Sequence, residues 1–520
     1  MKKQLLAAAI TAAVMAGNAQ AALPVIASDT TVVYLSGASA SLDYINKLIT
    51  SSAAPAVDRF CDSTQEIWRF NDQIDGKSQN AFYCTTAQTN TSLKNKVKSH
   101  LLIYKRSEGG SAMGVSPLVI NQPISFLNIT SNPTCTVATQ AVAGTTVGAA
   151  TCTYDKTLAT ASQFTLKTPD FGMSDLEPGK FTGENTPDGF SAITADDVAT
   201  LTIAGASAVT FGEPVTLQLF KALQAAQKAT GQIPASCAIG DKTEACLPNL
   251  TSAQIASIHT GSWTSWNSLK VGNTGLGLYD WVSANASAYL PAVSDVHVCR
   301  RTNGSGTQAQ HGVVFLNSPC SEASAATQPA HDLGGNEGDG FTMVHEMAES
   351  GGVTNCLHEL DTATDAANAF NNSAWKSGVR WAVGIQSLEK SDANFEFVKV
   401  DGVAPTLAHV VDGSYHDWVE NTFQYNTSYY NGRTPDVKAL ITAVIQKAAL
   451  PEVIATLNNG FVHGFGTGAY LAVPSLFAPE ANGAFNSARP VNPYSRATVS
   501  VPVVDNCRVP TIWNGGDAKL

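Results

Sequence analysis

The chain has 520 residues, 44% of them hydrophobic, with 31 basic against 42 acidic side chains and a formal net charge of -11 at pH 7. That length, with an ordinary globular composition, points to two lobes or more rather than one domain. The negative balance argues against nucleic-acid binding and docking on anionic membranes as main tasks. It leaves open the capture of a small anion, which local dipoles and one or two arginines can perform.

Met1-Lys2-Lys3 is a short basic stretch, Leu5 to Ala16 a largely apolar run, and Ala19-Gln20-Ala21 a small-x-small cleavage signal. Residues 1–21 therefore read as a signal peptide, and a periplasmic or secreted protein beginning at Ala22 is expected. The apolar run is too short for a permanent span, and with no cysteine beside the cleavage site a lipid anchor is not expected. The ten cysteines stand at 61, 84, 135, 152, 237, 246, 299, 320, 356 and 507. An even number in an exported chain points to up to five disulfides. Neighbour pairing would give Cys61–Cys84, Cys135–Cys152, Cys237–Cys246 and Cys299–Cys320, leaving Cys356 with Cys507, although sequence leaves the connectivity open. No C-x-x-C and no Cys/His cluster of zinc-finger spacing occurs, so neither a metal nor a cofactor is expected.

Along the chain, Val32 to Leu35 is a strand, Ser36 to Ala40 a loop of small residues, and Leu42, Ile45, Leu48 and Ile49 mark a helix with one apolar face. Phe60 to Cys84 is polar and aromatic, as in a disulfide-stapled insertion. Leu101 to Tyr104 is a second strand, followed by the glycine loop Arg106 to Gly114. Asn121 to Thr168 reads as a β-rich excursion with its own cysteine pair, and Asp170 to Pro178 is a loop holding Asp175. The stretch His297 to Phe315 combines a strand (Val296, Val298), a turn (Asn303 to Gly306) and a helix from Gln308 onward. A helix start offers unpaired N–H groups and the positive end of the macrodipole, Ser305 and Thr307 add hydroxyls, and Arg301 adds a planar fork of donors. That combination makes an oxyanion cradle, although GSGT alone is also an ordinary βα turn.

Other motifs point nowhere sharper. His345-Glu346 lacks the second histidine of a zinc-protease helix, and no G-x-S-x-G marks a hydrolase elbow, so no enzyme is expected. Arg106 and Arg300 are candidate extra anion contacts or surface charges. Trp263, Trp266, Trp375, Trp381 and Trp418 are expected to fill cores. Phe395 to Val411 reads as two strands around Asp401-Gly402, Tyr415 to Tyr425 as another strand, and Asp436 to Leu457 as one long helix. The tail from Gly460 to Leu520 gives no pattern, except that Cys507 suggests it is tied back.

Four loops together, SGASA near Ser39, GGSAMG, DFGMSDLEP and RRTNGSGT, stand in the order and with the character of the phosphate-binding proteins that serve ABC importers. Leu250 to Leu269, Gly334 to Gly340 and Ser377 to Ile385 resemble further segments of that family. The resemblance covers Val32 to about Leu457 in islands. It implies a two-lobed type II periplasmic-binding-protein α/β fold with β-rich, disulfide-stapled insertions near 58–95 and 121–168. Lobe 1 is expected over 22–218, lobe 2 over 219–387, and a return to lobe 1 plus an extension over 388–520. The implied phosphate-binding residues are Ser39, Ala40, Gly110, Ser111, Asp175, Arg301, Ser305, Gly306 and Thr307. Ala40 stands where the family often has an aromatic residue, a contact made through the backbone N–H, and either Gly110 or Ser111 is the contact of the second loop. Hydrogen phosphate carries a proton that sulfate lacks, so a buried Asp175 can accept from one and would repel the other. The function implied is an exported monomeric receptor for inorganic phosphate, working with an ABC permease. The alternative is a secreted or surface relative that scavenges phosphate outside the cell or serves adhesion and matrix building.

Overall fold

The computed structural model describes residues 22–73, 78–156, 162–321, 327–364, 377–498 and 503–517. The expected signal peptide and Trp375 lie outside them. Two sheets, each with its own hydrophobic cluster, form the two lobes. The larger is built on β1 (Thr30–Gly37), β2 (His100–Arg106), β3 (Phe171–Ser174) and β4 (Leu201–Gly212). The smaller takes β5 (Pro214–Thr216), β6 (His297–Arg301), β7 (Met343–Met347), β8 (Ala382–Gly384) and β9 (Phe395–Phe397), and the chain then returns to the larger sheet as β10 (Trp418–Asn426).

Both sheets repeat one topology. In the larger, β1 is parallel to β2 on one side and β3 on the other, and β10 runs antiparallel between β3 and β4. In the smaller, β6 is parallel to β7 and β8, and β5 runs antiparallel between β8 and β9. The antiparallel strand of each sheet arrives directly from the other lobe. Such an exchange joins the lobes through short crossings, the first of them at Glu213 between β4 and β5. This is the two-lobed type II binding-protein architecture expected from sequence. Near residue 387, where the return was expected, Gln386–Ser387 pairs with β4 of the larger sheet before β9 adds to the smaller one.

The strands after β1 and β6 are parallel, so each is followed by a crossover that begins in a loop at the strand's C-terminal end, where open α/β sheets bind ligands. Helix α1 (Leu42–Thr50) follows β1 and buries Leu42, Ile45, Leu48 and Ile49, the apolar stripe read from the sequence. After β6 comes α3 (Gly306–His311), which passes into one π-turn at Gly312–Leu316 rather than continuing as an α-helix. Two further helices matter below: α2 (Ser252–His259), closed at its start by the Thr251/Gln254 capping box, and α4 (Ser350–Thr362).

The insertions extend the larger sheet instead of forming a separate body. The hairpin Ile67–Asp72 and Gln79–Thr85 pairs onto β2, and Gly148–Cys152 and Thr136–Thr139 continue outward. They carry a third core of Trp68, Phe70, Tyr83, Tyr104 and Phe126. All ten cysteines are bridged. Cys61–Cys84, Cys135–Cys152 and Cys237–Cys246 are the pairs that neighbour pairing gives. The other four differ: Cys299 bonds Cys356, and Cys320 bonds Cys507. Cys299 lies on β6 and Cys356 on α4, and α4 packs directly on that strand, so the fold brings together what 57 residues of sequence separate.

Two further expectations are corrected. Asp436 to Leu457 is two helices, Pro435–Ala449 and Pro451–Asn458, bent by 67°. Leu450 takes the extended conformation that a following proline imposes. Of Phe395 to Val411, only the first part is strand, and Leu407–Val411 is a short helix capped by Thr406. Among the described residues no single helix is long and apolar enough to cross a membrane. Trp266, Trp381 and Trp418 are buried in the smaller lobe's core, and Trp263 packs against it.

Candidate functional site

The loops after β1, β2, β3 and β6 meet between the lobes. From the larger lobe come Ser39 and Ala40 at the start of α1, Gly110 and Ser111 after β2, and Asp175 after β3; from the smaller come Arg301, Ser305, Gly306 and Thr307. All nine sequence-derived residues converge there. The lobes touch directly, with the Ala112 N–H donating to the Gly304 carbonyl at 2.9 Å.

Arg301 is 1% exposed. Its Nη1 donates to Ser39 Oγ at 2.8 Å and to Ser350 Oγ at 3.0 Å, Nη2 to the Ala348 carbonyl at 2.6 Å, and Nε to the Met347 carbonyl at 3.1 Å. Burial lowers its pKa to about 10, which leaves it charged at neutral pH, with Glu349 and Asp175 acting at longer range in the other direction. Among the described residues none of its hydrogen-bond partners is a carboxylate. Its direct partners are only hydroxyls and carbonyls, with the Glu349 and Asp175 charges acting on it through space, so no carboxylate occupies the guanidinium's hydrogen-bonding fork.

Asp175 faces it from the other lobe. Its Oδ2 accepts from Ser111 Oγ at 3.0 Å, and its own N–H donates back to Ser111 Oγ at 3.1 Å. Oδ1 and the buried Thr307 hydroxyl make no hydrogen bond of normal geometry. Burial pushes the carboxyl up to about 6, against the pull of Ser111, Arg301, Lys105 and Thr307. At neutral pH Asp175 is therefore mainly an ionised acceptor, with the Ser111 and Thr307 hydroxyls beside it.

Ser305 caps α3, its Oγ accepting the Gln308 N–H at 3.3 Å, so the hydroxyl proton remains to be donated. Helix geometry leaves the next N–H groups, those of Gly306 and Thr307, without intrahelical acceptors. Gly306 has a steric reason: a Cβ there would lie 2.2 Å from Ser111 Oγ and 2.7 Å from Asp175 Oδ2. Gly110 has two. Its φ is +69°, and a Cβ would lie 2.9 Å from Ser305 Cα across the cleft. Ala40 is buried, and its carbonyl takes a hydrogen bond from Ser387 Oγ at 3.0 Å.

Three neighbours escaped the sequence reading. Ser350, at the start of α4, lies 3.2 Å from Ser39 Oγ and shares the Arg301 fork. Gln386 donates to the Ser350 carbonyl at 2.7 Å and fixes that helix start. Lys105 is fully buried, donates to the Gly37 and Ala38 carbonyls at 2.6 and 3.1 Å, and holds the first loop in shape. Burial lowers its pKa to about 7, partly offset by Asp175. Its signal was present in the sequence: a lysine inside an otherwise apolar strand, beside a glycine loop.

The two extra arginines are bonded to other partners. Arg300 projects to the opposite face of β6, donating to the Ala330 carbonyl at 2.6 Å with Glu346 at 3.8 Å. Arg106 is engaged by Glu108, at 3.1 Å. A cavity of about 220 Å³ lies elsewhere in the smaller lobe, lined by residues such as Leu223, Gln227 and Asn249, and none of the nine lines it.

Fold and loops together define a two-lobed α/β protein in which four loops bring buried polar groups together at the lobe interface. No family model matches the chain, and no curated protein matches its sequence. Solved structures to which it is similar include a phosphate ABC transporter substrate-binding protein of Clostridium perfringens with bound phosphate, at 13% identity and TM-score 0.38, covering 83% of this chain and 98% of that one. PstS of Borrelia burgdorferi is similar at 9% identity and TM-score 0.32, covering 82% and 97%. An ABC-type phosphate transport receptor of Vibrio cholerae is similar at 13% identity and TM-score 0.28, covering 57% and 80%. These likenesses are weak, and the fold is assigned from strand order.

Proposed function

We propose that the chain is an exported receptor that binds inorganic phosphate between its two lobes and delivers it to an ABC importer. The observation that carries this reading is Arg301, a buried charge with no carboxylate among its hydrogen-bond partners, facing the Asp175 carboxylate. An anion would take the guanidinium's donors directly, and a protonated oxyanion would also donate to Asp175. Hydrogen phosphate does both, while sulfate does only the first and would face Asp175 unprotonated. Ser39, Ser305 and Thr307 offer hydroxyls, and Ala40, Gly306 and Thr307 backbone N–H groups. The SGASA, GGSAMG, DFGMSDLEP and RRTNGSGT motifs support the same reading, and residues 1–21 support export.

Calorimetric titration with phosphate and with sulfate, on protein stripped by unfolding and refolding with its disulfides intact, tests it. Phosphate should bind with a clear preference at neutral pH, and solution scattering should show compaction on binding. Equal affinities, or no phosphate binding, would sink the assignment of Asp175 and of the ligand.

A further inference from the structure

A second polar cluster, unused by the anion cradle, lies where the chain first crosses between lobes. Glu213, between β4 and β5, is 1% exposed; His259, the last residue of α2, is 2% exposed; and His311, the last residue of α3, is 1% exposed. Glu213 Oε1 is 2.5 Å from His259 Nε2, and Glu213 Oε2 is 3.9 Å from His311 Nε2. The two imidazole rings lie with centroids 4.1 Å apart, and the donor atoms of all three residues fall within 4.8 Å of one another. Neither ring nitrogen of His311 has a hydrogen-bond partner, although the residue is buried. Phe315 packs beside its ring.

We propose that Glu213, His259 and His311 form a binding site for one divalent transition-metal ion of the zinc class. Two imidazoles and one carboxylate are a recurrent zinc donor set, and imidazole favours zinc, cobalt, nickel and copper over magnesium or calcium. Metal–ligand bonds of about 2.0–2.2 Å in a tetrahedral shell hold donor atoms roughly 3.3 Å apart. The Glu213–His259 pair would therefore open by less than about 1 Å, and donor atoms now up to 4.8 Å apart would close by up to about 1.5 Å. On binding, the ion replaces the proton shared between Glu213 and His259, and that proton leaves to solvent. Burial keeps both imidazoles neutral, His259 being lowered to about 3 and His311 well below its ordinary value, so their lone pairs are available. Burial likewise raises Glu213 well above the usual carboxylate range, a cost that a cation would relieve. The nearby Arg300 charge acts against the ion, whereas Asp417, bonded by Gln310, acts for it.

The site would join the crossing strand to the far end of the helix whose first turn forms the anion cradle. Its role would be structural, holding α3 against the crossing. Residues 213, 259 and 311 show no metal-binding spacing in sequence, which is why none was expected there.

The test is metal uptake by phosphate-free, chelator-stripped protein, so its outcome is independent of the phosphate reading. One equivalent of Co2+ should be retained through gel filtration, with the visible spectrum of low-coordinate cobalt, and Zn2+ should displace it. His311→Gln should weaken retention at least tenfold while the metal-free melting temperature stays near the parent's. His331→Ala and His409→Ala, at partly exposed histidines flanked by carboxylates, should leave retention unchanged. Absence of stoichiometric uptake overturns the proposal, as does uptake that survives His311→Gln or is lost with His331→Ala or His409→Ala. Should His311→Gln fail to fold, zinc X-ray absorption on the parent protein decides. A shell with two imidazoles supports the site, and one with fewer refutes it.

Discussion

At the scale of single residues, Arg300 and Arg301 show how the alternation of a strand separates two identical side chains. Neighbours on β6 point to opposite faces, so Arg301 enters the cleft and Arg300 bonds Ala330 and approaches Glu346. Removing the charge that faces a desolvated oxyanion typically costs about 2–5 kcal/mol. Arg301→Ala should thus weaken phosphate binding by about 30-fold or more. Arg300→Ala should change it by only a few-fold, and equal losses in the two variants would contradict the geometry.

Asp175 gives a pH prediction. A carboxyl whose pKa is raised in the folded state, here to about 6, holds its proton more tightly folded than unfolded. Its contribution to stability is complete below the ordinary carboxylate pKa and is lost as pH rises through about 6. Asp175→Asn should therefore be more stable than the ligand-free parent near neutral pH, by on the order of 2 kcal/mol, with the gap closing below about pH 4. Melting temperatures across that range check it, and a gap that widens on acidification would contradict it. The same variant should lose much of the preference for phosphate over sulfate, since an amide can donate to either anion.

At the scale of elements, the cradle depends on two loops that meet without side-chain bulk. The extra methyl of Gly306→Ala would strike Ser111 and Asp175 of the other lobe while leaving α3 intact within its own. Phosphate affinity should fall at least tenfold and ligand-induced compaction should shrink, with the melting temperature of the ligand-free protein little changed. Helix α4 is the element whose part was hidden. Its serine reaches Arg301 only because β7 lies parallel beside β6 and delivers the chain back to the cleft. No local pattern around Ser350 announces that.

At the scale of the whole molecule, the tail beyond residue 460 is part of the fold. Tyr470–Ala472 pairs with β4, Asn506 donates to Glu177 at 2.7 Å, and Lys180 meets Asp505 at 2.7 Å. Cys320–Cys507 closes a separation of 187 residues. In the chain-entropy account a loop of that length contributes up to about 5 kcal/mol. The double variant Cys320→Ser, Cys507→Ser should lower the urea midpoint accordingly. Thiol labelling of the denatured, unreduced parent should find no reactive cysteine.

Local chemistry determined much of this protein. Apolar spacing marked α1, short apolar runs marked β1 and β2, and small residues after strands marked the loops that converge, because such patterns act over a few residues and are written in order along the chain. The loops that carry the nine candidate residues were legible for that reason. Only the tertiary structure decided the rest: that Cys299 meets Cys356, that Ser350 reaches Arg301, and that Glu213, His259 and His311 come together. Those pairings join residues tens to hundreds of positions apart, and they follow from which strand lies beside which, a choice made by burial of whole faces against each other rather than by any stretch of sequence.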